Sequence, residues 1–234
     1  MKFLKAIWKA ILFIWTFAYR PDEAQLEDIS EKQYLNIFVK GRTKEEIEKS
    51  YQKAWEAKNF EIENYWKRAN YFWAFQVASF AGYFAVLGSD AYSSSPQVLY
   101  FVICIGFVTA FAWTFINKGS KTWQRHWEIH VDMLENEITG PLYKIITTQK
   151  TFSVSKINEI VSRFIIAIWL VIGTKYFSDH LTFKWSGIKN IDVLVLLSSV
   201  ATIYFIVAMY FGYGRGRFGN RKVKLYGRKF HTDK

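Results

Sequence analysis

Residues 98–116 read VLYFVICIGFVTAFAWTFI, and this stretch determines the fold class. It carries no charge and is about as long as a helix that crosses the hydrocarbon core of a bilayer. Because lipid offers the backbone no hydrogen bonds, such a stretch must be helical. Three further apolar stretches, Tyr71 to Leu87, Phe164 to Thr174 and Val193 to Phe211, complete a predicted set of four spans. Buried helices of a soluble protein are the alternative, which the short turn between the first two uncharged stretches disfavours.

The composition agrees with a membrane protein. Of 234 residues, 51% are hydrophobic and 19% aromatic, and the formal net charge is +11. Many aromatic side chains and a basic excess are typical of membrane proteins with interfacial rings and a positive cytoplasmic side. The single cysteine excludes a disulfide framework and any site with several thiolate ligands. We predict an all-α membrane protein with four transmembrane helices, whose long helices extend into a cytosolic helical region.

Basic residues predict how these spans are oriented. The segments before the first span, between the second and third, and after the fourth together hold 28 Lys and Arg residues. The two remaining loops hold only Lys184 and Lys189. Since positive residues stay on the cytoplasmic side, both termini and the central segment are predicted to be cytosolic.

The first twenty residues place Lys2, Lys5 and Lys9 on one face of an otherwise apolar helix. We predict an amphipathic helix on the membrane surface, with a fifth span or a re-entrant helix as the alternative. The predicted organisation is an interfacial helix at 1–20, a cytosolic helical region at 21–70, a first transmembrane hairpin at 71–116, a cytosolic helix and loop at 117–163, a second transmembrane hairpin at 164–211 and a basic cytosolic tail at 212–234.

Two long helices are predicted to leave the membrane as an antiparallel pair. Thr43 to Glu46 form a capping box, and no Pro or Gly follows until Gly82, so one helix should run from Glu45 to Leu87. An earlier helix, Asp22 to Lys40, should end at Gly41. The second span continues in the same way, with apolar residues at helical spacing from Trp123 to Ile138.

Small residues predict where the spans approach each other closely. One predicted stripe consists of Ala74, Ala78, Gly82 and Ala85, and a second of Gly106 and Ala110. After Gly140 and Pro141 end the second long helix, residues 142–155 predict a short hairpin or an irregular loop. Ser155 is then predicted to cap the helix that enters the third span.

Four short stretches form a recognisable set: NFEI at 59–62, NKGSK at 117–121, WQRHWEIH at 123–130 and FSVSKIN at 152–158. Together they resemble the RipA family of octameric bacterial inner-membrane proteins, over residues 40 to 175. The resemblance implies a multi-pass protein of the bacterial cytoplasmic (inner) membrane that self-assembles into an octamer. It implies no biochemical activity, and the fourth span and the basic tail lie outside it.

No metal site and no cofactor are predicted. His126 and His130 share a helix face, but Glu128 points away from them by about 200°, so the metal interpretation is the weaker one. The favoured interpretation is a polar face that closes a contact between helices or subunits. Cys104 lies in the middle of a span without an adjacent base, and no nucleotide-binding loop is present, so we predict that the chain is not an enzyme.

The cytosolic halves of the long helices carry more aromatic surface than one helix pair can cover. Exposed aromatic surface of that size is rare on monomers, and a closed ring of subunits would cover every patch. The residues predicted to hold helices and subunits together are Trp55, Trp66, Trp123, Trp127, His126 and His130.

The basic tail has two interpretations. As an anchor it would bind anionic lipid headgroups directly after a span, and as an arm it would bind nucleic acid. Its position favours the anchor, so the predicted partners are membrane lipids and further copies of the chain, not nucleic acid. The residues predicted to bind the membrane surface are Arg215, Arg217, Arg221, Lys222 and Lys224.

Two functions compete. The first is a structural or regulatory homo-oligomeric membrane assembly with a cytosolic helical crown, and the second is an oligomeric channel or membrane-permeabilising effector. Ser198, Ser199 and Thr202 form the most polar stripe in the spans and are the candidate pore lining. The same residue types also hold helices together inside membranes, so the stripe alone does not decide between the two.

Overall fold

The computed structural model describes residues 28–146, 151–180, 192–211 and 214, and these residues contain helices and no strand. The predicted all-α fold is therefore confirmed for them. The predicted amphipathic helix at 1–20 and the basic residues of the tail lie outside the described residues. In chain order the helices are α1 Glu31–Phe38, α2 Lys44–Leu87, α3 Asp90–Ser94, α4 Gln97–Leu134 followed by the 3-10 turn Glu135–Glu137, α5 Val154–His180 and α6 Val193–Phe211.

Helix α2 has 44 residues and is therefore about 66 Å long. Its capping box is present: the Glu46 N–H donates to the Thr43 hydroxyl at 3.3 Å, and the Thr43 N–H donates to the Glu46 carboxylate at 2.8 Å. The predicted continuous helix up to Leu87 is confirmed.

Helix α4 returns antiparallel to α2 after the short turn that contains α3. Two hydrogen bonds set the register: Gln76 Nε2 donates to Thr109 Oγ1 at 2.8 Å, and Arg68 Nη1 donates to Ser120 Oγ at 2.7 Å. Gly119 does not interrupt α4, since the helix passes through it, and a Cβ added there would meet no atom within 4 Å. The predicted antiparallel pair is confirmed.

Helices α5 and α6 pack against α4, and α5 also contacts α2 through side chains. The buried core lies where α2, α4 and α5 meet, and its centre is formed by Trp113 and Trp169, both with no exposed surface. At the opposite end of the long pair, Tyr34 on α1, Ile47 on α2 and Leu134 on α4 form a smaller buried cluster.

The predicted start of the first cytosolic helix is wrong within the described residues. α1 begins at Glu31 and not at Asp22, because Ser30 and Gln33 form a capping box that the sequence interpretation missed. The helix ends at Phe38, and Gly41 follows with a left-handed φ of 75°.

The predicted cap of the third span is also wrong. α5 begins at Val154, so Ser155 lies inside its first turn, and the Ser153 hydroxyl accepts the Lys156 N–H at 3.4 Å. The described parts of the preceding segment form turns and irregular structure, which agrees with the irregular-loop alternative.

The first small-residue stripe faces α4 only at Gly82, where a Cβ would lie 3.7 Å from Val102. Ala74, Ala78 and Ala85 are exposed, because α2 turns its larger residues towards α4 and α5. Gly106 and Ala110 are buried as predicted. Gly106, however, faces the indole ring of Trp169 on α5.

Three described helices are long and apolar enough to cross a membrane: Gln97–Glu137, Val154–His180 and Val193–Phe211. They include the predicted second, third and fourth spans. The predicted first span is the last part of α2, where Gln76 and several Trp and Tyr residues lower the hydropathy. The part of the chain that the structure describes is thus all-helical with three candidate membrane spans.

Candidate functional site: a buried polar ladder

Polar side chains cross the interior of the bundle formed by α2, α4 and α5. Each pair of these helices shares at least two hydrogen bonds between side chains, although the surrounding residues are apolar. Such contacts hold helices together in membranes, where the hydrophobic effect offers little drive for association. We call these residues the polar ladder: Tyr65, Arg68, Gln76, Thr109, Thr114, Asn117, Ser120, Asn158, Ser162 and Trp169.

The deepest contact of the polar ladder joins all three helices. Trp169 Nε1 donates to Gln76 Oε1 at 2.7 Å, and Gln76 Nε2 donates to Thr109 Oγ1 at 2.8 Å and to the Gly106 carbonyl at 3.3 Å. Gln76 is 1% exposed, and the Trp169 ring stacks on Phe80 with centroids 4.5 Å apart. This amide therefore has every polar atom paired and fixes α5 against the α2–α4 pair.

A second contact lies nearer the end of the apolar region. Asn158 Nδ2 donates to the Tyr65 hydroxyl at 2.9 Å and to Asn117 Oδ1 at 3.3 Å, and Thr114 Oγ1 donates to Ser162 Oγ at 3.0 Å. All of these side chains are buried. The arrangement orients the first turns of α5 against both long helices.

Two buried donors next to this contact have no acceptor among the described residues: Nε1 of Trp113 and Nδ2 of Asn117. The Trp113 ring packs edge-on against Trp73, with ring centroids 5.0 Å apart. Buried donors without acceptors are costly, by about 1–3 kcal/mol each. These two unpaired donors therefore reduce the stability of this part of α4, unlike the paired groups of the polar ladder.

Beyond the ladder, the far end of the long pair carries a cluster of aromatic and histidine rings. The Tyr34 hydroxyl and His130 Nδ1 are 2.7 Å apart, and the rings of His126 and Trp127 lie beside His130 with centroids 4.9 and 5.6 Å away. Burial lowers the pKa of His130, and His126 lowers it further. Burial also raises the pKa of Tyr34 to about 12, so Tyr34 and His130 are both uncharged near pH 7.

We call Tyr34, Phe38, His126, Trp127 and His130 the head cluster. It closes a contact between α1 and α4, which is the favoured interpretation of the two histidines. No group of three His, Cys, Asp or Glu side chains within the described ranges is arranged to hold a metal ion.

Lys58 on α2 is a buried cation, with only 4% of its surface exposed. Its ammonium lies over the Trp55 ring at 3.3 Å and over the Tyr143 ring at 4.7 Å from the centroids. Burial lowers the pKa of Lys58, while the carboxylates of Glu128 and Asp132 oppose that shift. The cation–π contact with Tyr143 holds α2 to the segment that follows α4.

The Glu135 side chain holds the same segment by hydrogen bonds to the backbone of that segment. It is fully buried and accepts the backbone N–H groups of Tyr143 and Lys144 at 2.6 and 3.1 Å. The carboxylate thereby folds the chain back after the 3-10 turn.

The predicted packing residues divide into two groups. Trp55, Trp127, His126 and His130 are half-buried in contacts within the protomer. Trp66 and Trp123 are 41% and 42% exposed, so a large part of each ring lies on the surface of the protomer.

The candidate pore residues face α4 within the protomer. Ser198 is buried, and the Ser199 hydroxyl lies 2.7 Å from the Tyr100 hydroxyl while donating to the Val195 carbonyl at 2.7 Å. Thr202 is partly buried on the same helix. The predicted surface-binding residues of the tail, Arg215 to Lys224, lie outside the described residues.

The matched part of the chain coincides with the polar ladder. Residues 48–178 match the model of the Octameric membrane protein family (8xMP). The chain belongs to this family. The octameric membrane family that the sequence resembles is thereby confirmed, and the name supports an oligomeric membrane protein. Neither the curated proteins nor the solved structures give a significant match.

Every residue of the polar ladder lies within the range that matches the 8xMP family, whereas Tyr34 and all of α6 lie outside it. The three-helix unit of α2, α4 and α5 is therefore the part of the chain that this family describes.

The sequence interpretation missed the polar ladder as a site, although signals were present. Gln76 is the one strongly polar side chain in its apolar stretch, and Asn117 and Asn158 lie in the stretches that carry the family resemblance. Which of these side chains meet could not be read from the sequence, because it depends on how three helices rotate about their axes.

Proposed function

We propose that the protein is a homo-oligomeric structural or regulatory assembly of the bacterial inner membrane, with a helical crown in the cytosol and no catalytic role. The observation that carries the proposal is exposed aromatic surface on the polar half of the long pair. Phe60, Trp66 and Trp123 are 60%, 41% and 42% exposed there. Residues of this type usually dominate the energy of protein interfaces, so neighbouring subunits are their natural cover.

The proposal includes four spans, with the last part of α2 as the first of them. This part runs beside the apolar half of α4, as the Gln76–Thr109 and Trp73–Trp113 contacts require. On its other side, Phe84 is 62% and Val77 64% exposed. Such surface is suited to lipid and would be an aggregation hazard in water.

Four spans place both termini on the same side, and the distribution of basic residues makes that side the cytosol. A reporter that is active only in the cytosol, fused after Lys234, tests this topology. Activity of a periplasmic reporter at the same position would overturn the four-span arrangement.

A channel receives less support than an assembly. Ser199 hydrogen-bonds Tyr100 and Val195 within the protomer, and Ser198 is buried against α4. These hydroxyls serve helix packing and do not line the outer surface of the protomer.

The test of assembly is the mass of the purified protein in mild detergent. The proposal expects wild-type protein at eight times the protomer mass of 27.6 kDa. Replacing both Phe60 and Trp123 by Ala should shift the mass towards the monomer. Phe205→Ala is the matched control. Phe205 is exposed to a similar extent, 54%, but it lies on the apolar helix α6 and not on the polar half of the long pair. Wild-type protein that is monomeric in detergent and does not cross-link in membranes would contradict the proposal.

A further inference from the structure

The structure contains an apolar groove between α5 and α6, with α4 as its floor. Its volume is about 310 Å³. The groove exists because α6 packs against α4 and diverges from α5. The floor contains Ile103 and Phe107 on α4. The two walls contain Gly173 and Phe177 on α5, and Thr202 and Ile203 on α6.

The groove lies inside the membrane-spanning region. Its lining residues come from three helices that are each long and apolar enough to cross a membrane. Tyr100 and Phe177 are close to the start of α4 and the end of α5, so the groove lies in the half of the bundle next to the α2–α4 turn. The molecules that surround it are therefore the acyl chains of one leaflet.

The polar atoms near the groove are paired within the protein. The Ser199 hydroxyl contacts Tyr100, and Thr174 Oγ1 donates to the Val171 carbonyl at 2.8 Å. The Trp169 indole N–H donates to Gln76 Oε1 at 2.7 Å, so the part of its ring that contributes to the groove lining is apolar. Because these hydroxyls already make hydrogen bonds within the protein, the groove favours an apolar ligand, and apolar cavities do not hold ordered water.

We propose that this groove binds an acyl chain of a membrane lipid. Gly173 is consistent with the assignment, because it contributes no side chain to the α5 wall and so leaves space in the groove; a Cβ there would make only an ordinary contact with Ile103, at 3.6 Å.

A second copy of the chain is the less favoured occupant. The range that matches the octameric family ends at residue 178 and contains no part of α6. A groove that needs α6 as one wall is therefore outside the unit that the family shares. Lipid, in contrast, is present around every membrane span.

The test uses full-length protein in vesicles of phosphatidylcholine and phosphatidylglycerol that contain a small fraction of phosphatidylcholine with a photoactivatable diazirine on one acyl chain. After illumination, mass spectrometry maps the labelled residues. The groove walls on α5 and α6 should be labelled several-fold more strongly than the opposite faces of the same helices.

Two variants narrow the groove from different sides. Ile203→Trp fills it from α6 and Gly173→Leu fills it from α5, and each should reduce labelling of the opposing wall several-fold. Leu197→Trp is the matched control, because Leu197 is 61% exposed against 63% for Ile203 but lies outside the groove lining. The thermal unfolding of each variant is recorded alongside, and one variant with wild-type stability is sufficient for the test.

Three results would overturn the proposal. The first is labelling spread evenly over all exposed faces of α5 and α6. The second is equal loss of labelling in Leu197→Trp. The third is efficient cross-linking between copies through Thr174→Cys, which would place a second chain in the groove.

Discussion

Helices α5 and α6 are both apolar enough to span a membrane, yet they are attached to the molecule in different ways. α5 buries Asn158, Ser162 and Trp169 in hydrogen bonds with α2 and α4. α6 is the more apolar helix, but it buries only Ser198. In a membrane, therefore, polar side chains and not hydrophobicity determine which helix belongs to the interior of the bundle.

The largest effect is expected from Gly106→Ala in the three-helix unit. A Cβ at this position would overlap the ring of Trp169, which is fully buried and stacked on Phe80. We expect a loss of about 3 kcal/mol in the free energy of unfolding, measured in mixed micelles.

The matched control is Gly119→Ala on the same helix. A Cβ at this position would meet no atom within 4 Å, so the substitution should be neutral or stabilising by at most about 1 kcal/mol. Equal effects of the two substitutions would show that α5 does not pack closely against α4.

Gln76→Leu should have the next largest effect. It removes the acceptor of the Trp169 N–H and the contacts with Thr109 and Gly106, so a buried donor loses its partner. We expect a loss of about 2 kcal/mol, read from unfolding in mixed micelles. Gln52→Leu is the control, because Gln52 lies exposed on the same helix and its amide donates to the Glu56 carboxylate at 3.3 Å, one turn further on. If Gln76→Leu lowered the free energy of unfolding no more than Gln52→Leu does, the hydrogen bonds of Gln76 would not stabilise the three-helix unit.

The pH dependence of stability tests whether His130 is buried in the head cluster. Burial lowers the pKa of His130 in the folded state below its value of about 6.5 in the unfolded chain. The unfolded chain therefore binds more protons between these two values, so stability is complete above about pH 6.5 and falls as the pH decreases towards the folded-state pKa. The midpoint of thermal unfolding should decrease accordingly.

His130→Gln should make the unfolding midpoint less dependent on pH over that window. His180→Gln is the control for the loss of a histidine side chain, since His180 lies exposed at the end of α5. A wild-type profile that is flat from about pH 7.5 to about 5.5, on either side of the unfolded-state pKa, would contradict the burial of His130.

The smallest effect is expected from Ser199→Ala on α6. It removes the contact with Tyr100, which is a single hydrogen bond between hydroxyls in a membrane span. The expected loss is about 0.5 kcal/mol, the usual size of such bonds in membranes. A loss as large as that of Gln76→Leu would show that α6 belongs to the interior as firmly as α5 does.

Much of the helical fold could be predicted from the sequence because its signals are local. The Thr43–Glu46 capping box and the absence of helix breakers up to Gly82 predicted α2, and the apolar run predicted α6 at the residues where it is found, Val193–Phe211. The Ser30–Gln33 capping box was missed although it is equally local.

The packing could not be predicted to the same extent. The exposed Ala74 and Ala78 had been expected between helices, whereas Gln76 occupies that position. The rotation of a helix about its axis depends on partners that are distant in sequence, such as Trp169 for Gln76. Small residues permit close contact from any direction, so they do not specify a partner.

The most direct test of the polar ladder is a double-mutant cycle between Gln76 and Trp169. Gln76→Leu, Trp169→Phe and the double variant are unfolded reversibly in mixed micelles, and the coupling free energy is obtained from the three differences. We predict a coupling of about 1 kcal/mol or more, near the upper end of measured hydrogen bonds between membrane helices. A coupling indistinguishable from zero would contradict the conclusion that polar side chains hold α5 to the long helix pair.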